Sequence, residues 1–225
     1  MLDATPFDRD PHLRELIQRA VDEAARLLDA DGAFIDRIHP QTGRMRTEYI
    51  AGRLTAEAAG ILRGIELVPG EGLYGRAVAE RSVLRTADYL QDESFPHTAA
   101  ADDFARRVGI TSVIAAPLVA GPAVFGVLGI YASRAEAFGD RQVGLAGALA
   151  DHAAAAIAQS RLIAELAASR VELERRIRSE QTLRDITARI AAIRDPQDVL
   201  HRIADETRRL LGCDAVPPDA HGRRL

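Results

Sequence analysis

The sequence contains no lysine and no asparagine, and its one cysteine is Cys213. All 29 basic residues are therefore arginine, set against 33 acidic ones, and the net charge of −4 gives no positive field for nucleic acid or an anionic membrane surface. A single thiol excludes an intrachain disulfide and any cluster of cysteines around a metal, and with no signal-like N-terminus the chain reads as cytoplasmic. The most apolar tract, Val143 to Ala158, is mostly Ala and Gly, short for a spanning helix, and interrupted by Asp151 and His152, so no membrane insertion is expected. There is no nucleophile elbow, no HExxH helix and no Walker loop, and His12, His39, His152, His201 and His221 lack metal-ligand spacing. An enzyme is not expected, and neither is a metal.

What is present begins with an amphipathic helix from Asp10 to Asp29, with Leu13, Ile17, Ala20, Val21, Ala24 and Leu27/Leu28 on one face. Two strand-like runs, Ala33 to Ile38 and Met45 to Ile50, are separated by a tight reversal containing Pro40 and Gly43. Short helices are expected over Leu54 to Leu62, Glu71 to Glu80 and Thr98 to Val108, with a brief strand over Ser82 to Thr86. The strongest β signal is the pair SVIAAPLV (Ser112 to Val119) and VFGVLGIYA (Val124 to Ala132), joined by a connection far too short for a crossover helix. These two runs must form an antiparallel hairpin.

That hairpin disposes of an apparent dinucleotide fingerprint. Gly70, Gly72 and Gly75 spell G-x-G-x-x-G, with an acidic residue, Asp88, further along, but a doubly wound nucleotide fold needs parallel strands alternating with helices. The glycines are read instead as a turn at Pro69-Gly70, a helix entry at Gly72 and a close helix-sheet approach at Gly75. The start of that helix still offers free amides to an anionic or carbonyl group.

From Asp140 no helix breaker occurs until Asp195-Pro196, which predicts a helix of about 50 residues, roughly 75 Å long. Its first half is small and apolar. Its second half is charged, with Leu162, Leu166, Ser169 and Leu173, then Leu183, Ile186, Ile190 and Ile193, at the spacing of a two-stranded coiled coil whose register breaks between the two sets. A homodimer is expected, with Leu162, Leu166, Leu173, Leu183 and Ile190 at its interface. Beyond Pro196, DVLHRIADETRRLLGCDAV repeats ELIQRAVDEAARLLDADGA of the first helix, as though a second copy of the domain were starting, and 217–225 looks like a disordered tail.

With LLDADGAFIDRI, LVPGEGLYGRAVAERSVLRTADY, DDFARRVGITSVIAAPLV and the run from Val124 to Ile157 in this order, the chain resembles a GAF domain of a bacterial signal-transduction protein of the sensor histidine kinase type. The resemblance implies an α+β fold: a mainly antiparallel sheet with helices on both faces, followed by a long coiled-coil helix. The implied organisation is a sensor domain over 10–163, a signalling helix over 164–194, the beginning of a second, truncated GAF domain over 195–216 and the tail. The implied function is regulatory, with an unknown small molecule entering a pocket and a downstream kinase or other output domain receiving the signal. A GAF scaffold that binds nothing and only dimerises is the alternative.

By the same resemblance the pocket should be lined by the helix start at Gly72 to Ala77, the strand Val83 to Thr86, the loop from Asp88, the helix before Gly109, and Ile114, Ala116 and Leu128. Tyr74, Arg76, Arg85, Asp88, Tyr89, Phe95, His97, Phe104 and Ile114 are the candidate ligand-binding residues. For Arg85 and Asp88 the plain alternative is a surface ion pair or loop cap; for Tyr89, Phe95 and Phe104 it is ordinary core beneath a loop. Some relatives hold haem through a histidine just before the strand starting near Ser112, where this chain has Arg106, Arg107 and Val108, so haem is not expected. Bilin attachment and methionine sulfoxide reduction need a cysteine, and Cys213 lies outside the complete domain. The Asn-Lys-Phe-Asp-Glu signature of cyclic-nucleotide binders cannot occur without Asn or Lys.

Overall fold

The computed structural model describes residues 11–192 and 196–211. The side chains of Ile190 and Ile193, Cys213, the end of the internal repeat and the tail 217–225 lie outside the described residues. Contacts divide the chain into two units that meet between Leu166 and Ala167.

In the first unit, helix α1 (Pro11–Leu27) precedes strands β1 (Gly32–Ile38) and β2 (Met45–Gly52). Helix α2 (Ala56–Gly64), strand β3 (Glu66–Leu67), helix α3 (Gly72–Glu80), strand β4 (Leu84–Thr86) and helix α4 (Ala99–Val108) follow. Strands β5 (Ser112–Ala120) and β6 (Ala123–Ala132) then lead into helix α5 (Asp140–Ala192). The six strands form one sheet in the order β3-β2-β1-β6-β5-β4, and every pair in it is antiparallel. The hairpin expected from the short connection is β5-β6, with Ile114 opposite Ile130 and Ala116 opposite Leu128.

Strand alternation gives the sheet two apolar faces. One carries Ala33, Ile35, Ile114, Ala116, Leu118, Leu128 and Ile130, and is covered by α1 through Leu13, Ile17 and Val21, by Leu28 just beyond α1, and by the start of α5 through Ala146, Ala150, Ala154 and Ile157. Alanines dominate that part of α5 because a small side chain lets a helix lie close on a sheet. The opposite face carries Phe34, Met45, Val113, Ala115, Val127 and Tyr131, and is covered by α2, α3 and α4. The helix ends follow local chemistry: Thr55 accepts a hydrogen bond from the Ala58 amide at the start of α2, and Gly109, at φ 76°, closes α4 in the left-handed region.

The register of β1 against β2 shifts between Ile35 and Asp36: Ile35 faces Tyr49 while Asp36 faces Thr47. Glu48 is therefore the extra residue of a β-bulge. Without it, strict alternation would not let Tyr49 share a face with Ile35 while Thr47 shares the other with Asp36. On the other flank of β1, Gly126 of β6 lies so near the Asp36 carbonyl that a Cβ there would be 2.0 Å from the oxygen.

In the second unit, the remainder of α5 carries exposed i,i+4 ion pairs, Arg170 with Glu174 at 3.0 Å and Arg176 with Glu172 at 3.0 Å, and is followed by helix α6 (Pro196–Leu211). Leu173, Ile177, Leu183 and Ile186 are exposed on α5, and Leu200 and Ile203 on α6.

Because the obstacle at Gly126 is backbone, Gly126→Ala is expected to lower unfolding free energy by about 1–3 kcal/mol in a chemical denaturation curve. Gly60→Ala, in the open middle of α2, is expected to leave it unchanged or raise it by up to ~1 kcal/mol.

Candidate functional site

The sheet face under α2, α3 and α4 encloses a cavity of about 30 Å³, room for about two water molecules. Phe34, Asp36 and Thr47 form its floor on the sheet, and Tyr74 reaches it from α3. Leu62 at the end of α2, with Ile65 and Leu67 beyond it, closes one side; Ala101, Phe104 and Ala105 of α4, with Ile110, close another; Tyr89 enters from the loop after β4.

Asp36 is the unusual member. It is 5% exposed, its Oδ1 accepts a hydrogen bond from Thr47 Oγ1, and no ion pair joins it to a cation among the described residues. Its neighbour in sequence, Arg37, pairs instead with Glu48 at 2.5 Å. Burial therefore dominates, pushing the Asp36 carboxyl up to about 7 although the Thr47 bond lowers it. Burial likewise raises the Tyr74 phenol well above its ordinary value, helped by the negative charges that Tyr89, Asp36 and Tyr131 can carry. The Tyr89 phenol is also raised, and its buried hydroxyl has no hydrogen-bond partner. The floor is aromatic as well as acidic: Phe34 and Tyr74 meet edge to face with ring centroids 5.1 Å apart.

Behind Tyr89 a second layer fixes the loop. Phe95 lies 5.3 Å from Tyr89 and stacks on His97 at 4.6 Å. His97 Nδ1 lies 2.8 Å from Asp102 Oδ1 on α4, and Nε2 lies 2.9 Å from the Asp92 carbonyl oxygen. Both partners are acceptors, so only the imidazolium can donate to both at once. The Asp102 bond is the main reason that His97 is raised above its ordinary value, with the Asp92 carbonyl second.

Of the residues proposed from sequence, Tyr74, Tyr89 and Phe104 line the cavity, whereas Phe95 and His97 lie behind Tyr89 as supports. Arg76 bonds Glu80 at 2.6 Å and the Ser94 carbonyl, tying α3 to the loop. Asp88 is half-buried in the loop, where its carbonyl accepts from the Gln91 amide. Two placements need correction. Ile114, with Ala116 and Leu128, belongs to the face covered by α1 and α5 and is turned away from the cavity. Arg85, paired in register with Ile114, forms an ion pair with Asp140 at 2.8 Å and reaches the Phe138 carbonyl. Gly75 also has a different neighbour from the expected one: a Cβ there would meet the Val68 carbonyl oxygen at 2.4 Å, so the close approach is to the loop before α3 and not to the sheet.

Sequence reasoning passed over Phe34, Asp36 and Thr47. The signal was in the strand FIDRI, where Phe34, Asp36 and Ile38 share one face at a period of two, setting an acid between two apolar side chains.

The sequence profile described as GAF domain matches residues 11–158. The chain belongs to the GAF family. GAF domains are regulatory and sensory signalling domains, and this one has the two-faced antiparallel sheet of its relatives. The GAF domain from a phosphoenolpyruvate-protein phosphotransferase of Coxiella burnetii is 20% identical and superposes with a TM-score of 0.57 over 70% of this chain and 89% of its own. The second GAF domain of DevS from Mycobacterium smegmatis is 20% identical, with a TM-score of 0.53 over 68% of this chain and 99% of its own. A type II free methionine-R-sulfoxide reductase from Thermoplasma acidophilum is 17% identical, with a TM-score of 0.52 over 66% of this chain and 94% of its own. No curated protein matches the chain. Among the described residues no helix is long and apolar enough to cross a membrane, and no cluster of metal-ligating side chains occurs.

The His97 clamp has a defined pH response. A histidine raised in the folded state stabilises it fully below the unfolded value and loses that contribution as pH rises through the folded value. In an NMR titration of the imidazole protons, His97 is expected to titrate above 6.5, and Asp102→Asn to bring the midpoint down; an unmoved midpoint would show that the Asp102 contact does not hold the loop.

Proposed function

We propose that this GAF domain is the small-molecule-sensing regulatory region of a bacterial signalling protein, and that it dimerises through its terminal helices. In this reading a ligand occupies the cavity between the sheet and α2–α4 and biases a two-state arrangement of the helices. The coiled coil formed by α5 and its copy passes the shift to a kinase or other output domain outside this chain. The observation that carries the reading is the convergence of Asp36, Thr47, Tyr74 and Tyr89 on one otherwise apolar cavity, an apolar pocket with a few polar groups being the usual form of a small-molecule site. Support for the dimer comes from Leu162, Leu166, Leu173 and Leu183, large apolar side chains left exposed along α5 at heptad-like spacing. Ile190 belongs to the same proposed seam, and the repeat starting at Asp198 is proposed as the beginning of a second GAF domain. Neither haem nor bilin has a place in this proposal.

The size of the cavity favours a second reading. At about 30 Å³ it is nearly filled by its own rings, as a scaffold that binds nothing and only dimerises would require.

Native mass spectrometry of the purified chain and a thermal-shift screen of metabolites separate the two: the sensor reading expects a copurified molecule or a raised Tm, and the absence of both would leave the scaffold. The dimer is tested by light scattering on the full chain. Twice the monomer mass is expected, falling to the monomer mass in Leu166→Arg/Leu173→Arg; a monomer throughout would defeat the coiled coil.

A further inference from the structure

The sensor reading leaves the chemistry of the ligand open, and the cavity floor narrows it. Asp36 is a carboxyl placed in a nearly dry space with one hydrogen-bond donor, Thr47. A buried carboxylate with so few partners is costly to keep ionised, and proteins ordinarily compensate with a cation. Alternation directs Arg37 away from the cavity to Glu48, and the helices over the floor present Leu62, Tyr74, Ala101, Phe104 and Ala105, none of them basic. Four aromatic residues, Phe34, Tyr74, Tyr89 and Phe104, line the same space, and aromatic rings attract cations while excluding water. The Tyr89 hydroxyl, buried and unpartnered, adds an acceptor for an N–H donor.

Resting on the sensor reading, we propose that the cavity binds a small hydrophobic amine as its ammonium ion, the nitrogen against the Asp36 carboxylate and the hydrocarbon among Phe34, Tyr74 and Phe104. At about 30 Å³ the cavity admits the ammonium group and a short stem. A larger body displaces Phe104 or Tyr89, and Tyr89 is attached to the loop that His97 clamps to α4, so occupancy is coupled to that loop.

An ammonium ion selects ionised Asp36, so affinity must depend on pH. The groups facing Asp36 are Thr47 from β2, which does not titrate, and the phenols of Tyr74 from α3 and Tyr89 from the loop, both raised and neutral below pH 9. His97, raised above its ordinary value by Asp102, also titrates but lies behind Tyr89, and His97→Gln serves as its control. With Asp36 half-ionised at about 7, affinity for an amine should rise about tenfold from pH 6 to pH 8.

The experiment is isothermal titration calorimetry on the full chain with isoamylamine and phenethylamine, each beside its alcohol, isoamyl alcohol or 2-phenylethanol. The expected results are binding of at least one amine at least tenfold tighter than its alcohol at pH 8, proton release below pH 7, the tenfold rise retained in His97→Gln, and loss of at least tenfold in amine affinity in Asp36→Asn with alcohol binding within about twofold. Asparagine can still accept from Thr47, and the wild-type pH profile stands without the variant. Amines that bind no better than their alcohols, or whose affinity ignores both pH and Asp36→Asn, would overturn the proposal. If the copurified or screened ligand proves neutral or anionic, the amine assignment falls and the sensor reading stands; if no molecule of any class binds, both fall.

Discussion

One displaced residue sets the chemistry of this domain. The bulge at Glu48 lets β2 turn Tyr49 to one face of the sheet and Thr47 to the other, opposite Asp36. Thr47 thereby supplies the hydrogen bond that a buried carboxyl requires, and Asp36 remains on the face where α2, α3 and α4 close over it. In unbroken register Thr47 and Tyr49 would share a face, so that either the carboxyl would lose its donor or Tyr49 would compete for the same space.

The two faces of the sheet divide the work. On one, α1 and the alanine-rich start of α5 pack against Ile35, Ile114, Leu118 and Ile130 without polar interruption. Such packing is stiff, because close-packed interiors transmit displacement instead of absorbing it. The other face is an apolar core as well, roofed by three short helices and a loop, and single polar contacts join these pieces at its rim: Arg76 to the Ser94 carbonyl, His97 to Asp102 and the Asp92 carbonyl, and Arg107 to Glu57 at 3.6 Å between α4 and α2. These exposed contacts are individually weak.

Most of the architecture was legible in the sequence, since hairpins follow from connection length and helices from a period of 3.6. The four residues between SVIAAPLV and VFGVLGIYA sufficed to exclude a parallel sheet, and the long helix followed from the absence of a breaker before Pro196. Strand β3 escaped notice because its two residues carry no periodicity. The cavity was only partly legible. Tyr74, Tyr89 and Phe104 can be placed near it from element order, but a run of consecutive apolar residues in β5 does not reveal which face Ile114 takes, and Arg85 of β4, opposite Ile114, forms the surface ion pair that was its plain alternative. Thr47 could not be paired with Asp36 from sequence, because a bulge of one residue reverses every facing relation beyond it.

Asp36 is a solitary buried acid at the floor of the cavity, and carbon-13 NMR of its side-chain carboxyl reads that state. The resonance should titrate with a midpoint of about 7, moving higher still when Thr47→Val removes the donor. A midpoint near the ordinary 3.8, indifferent to Thr47, would place the carboxylate in water and leave no buried acid at the cavity floor.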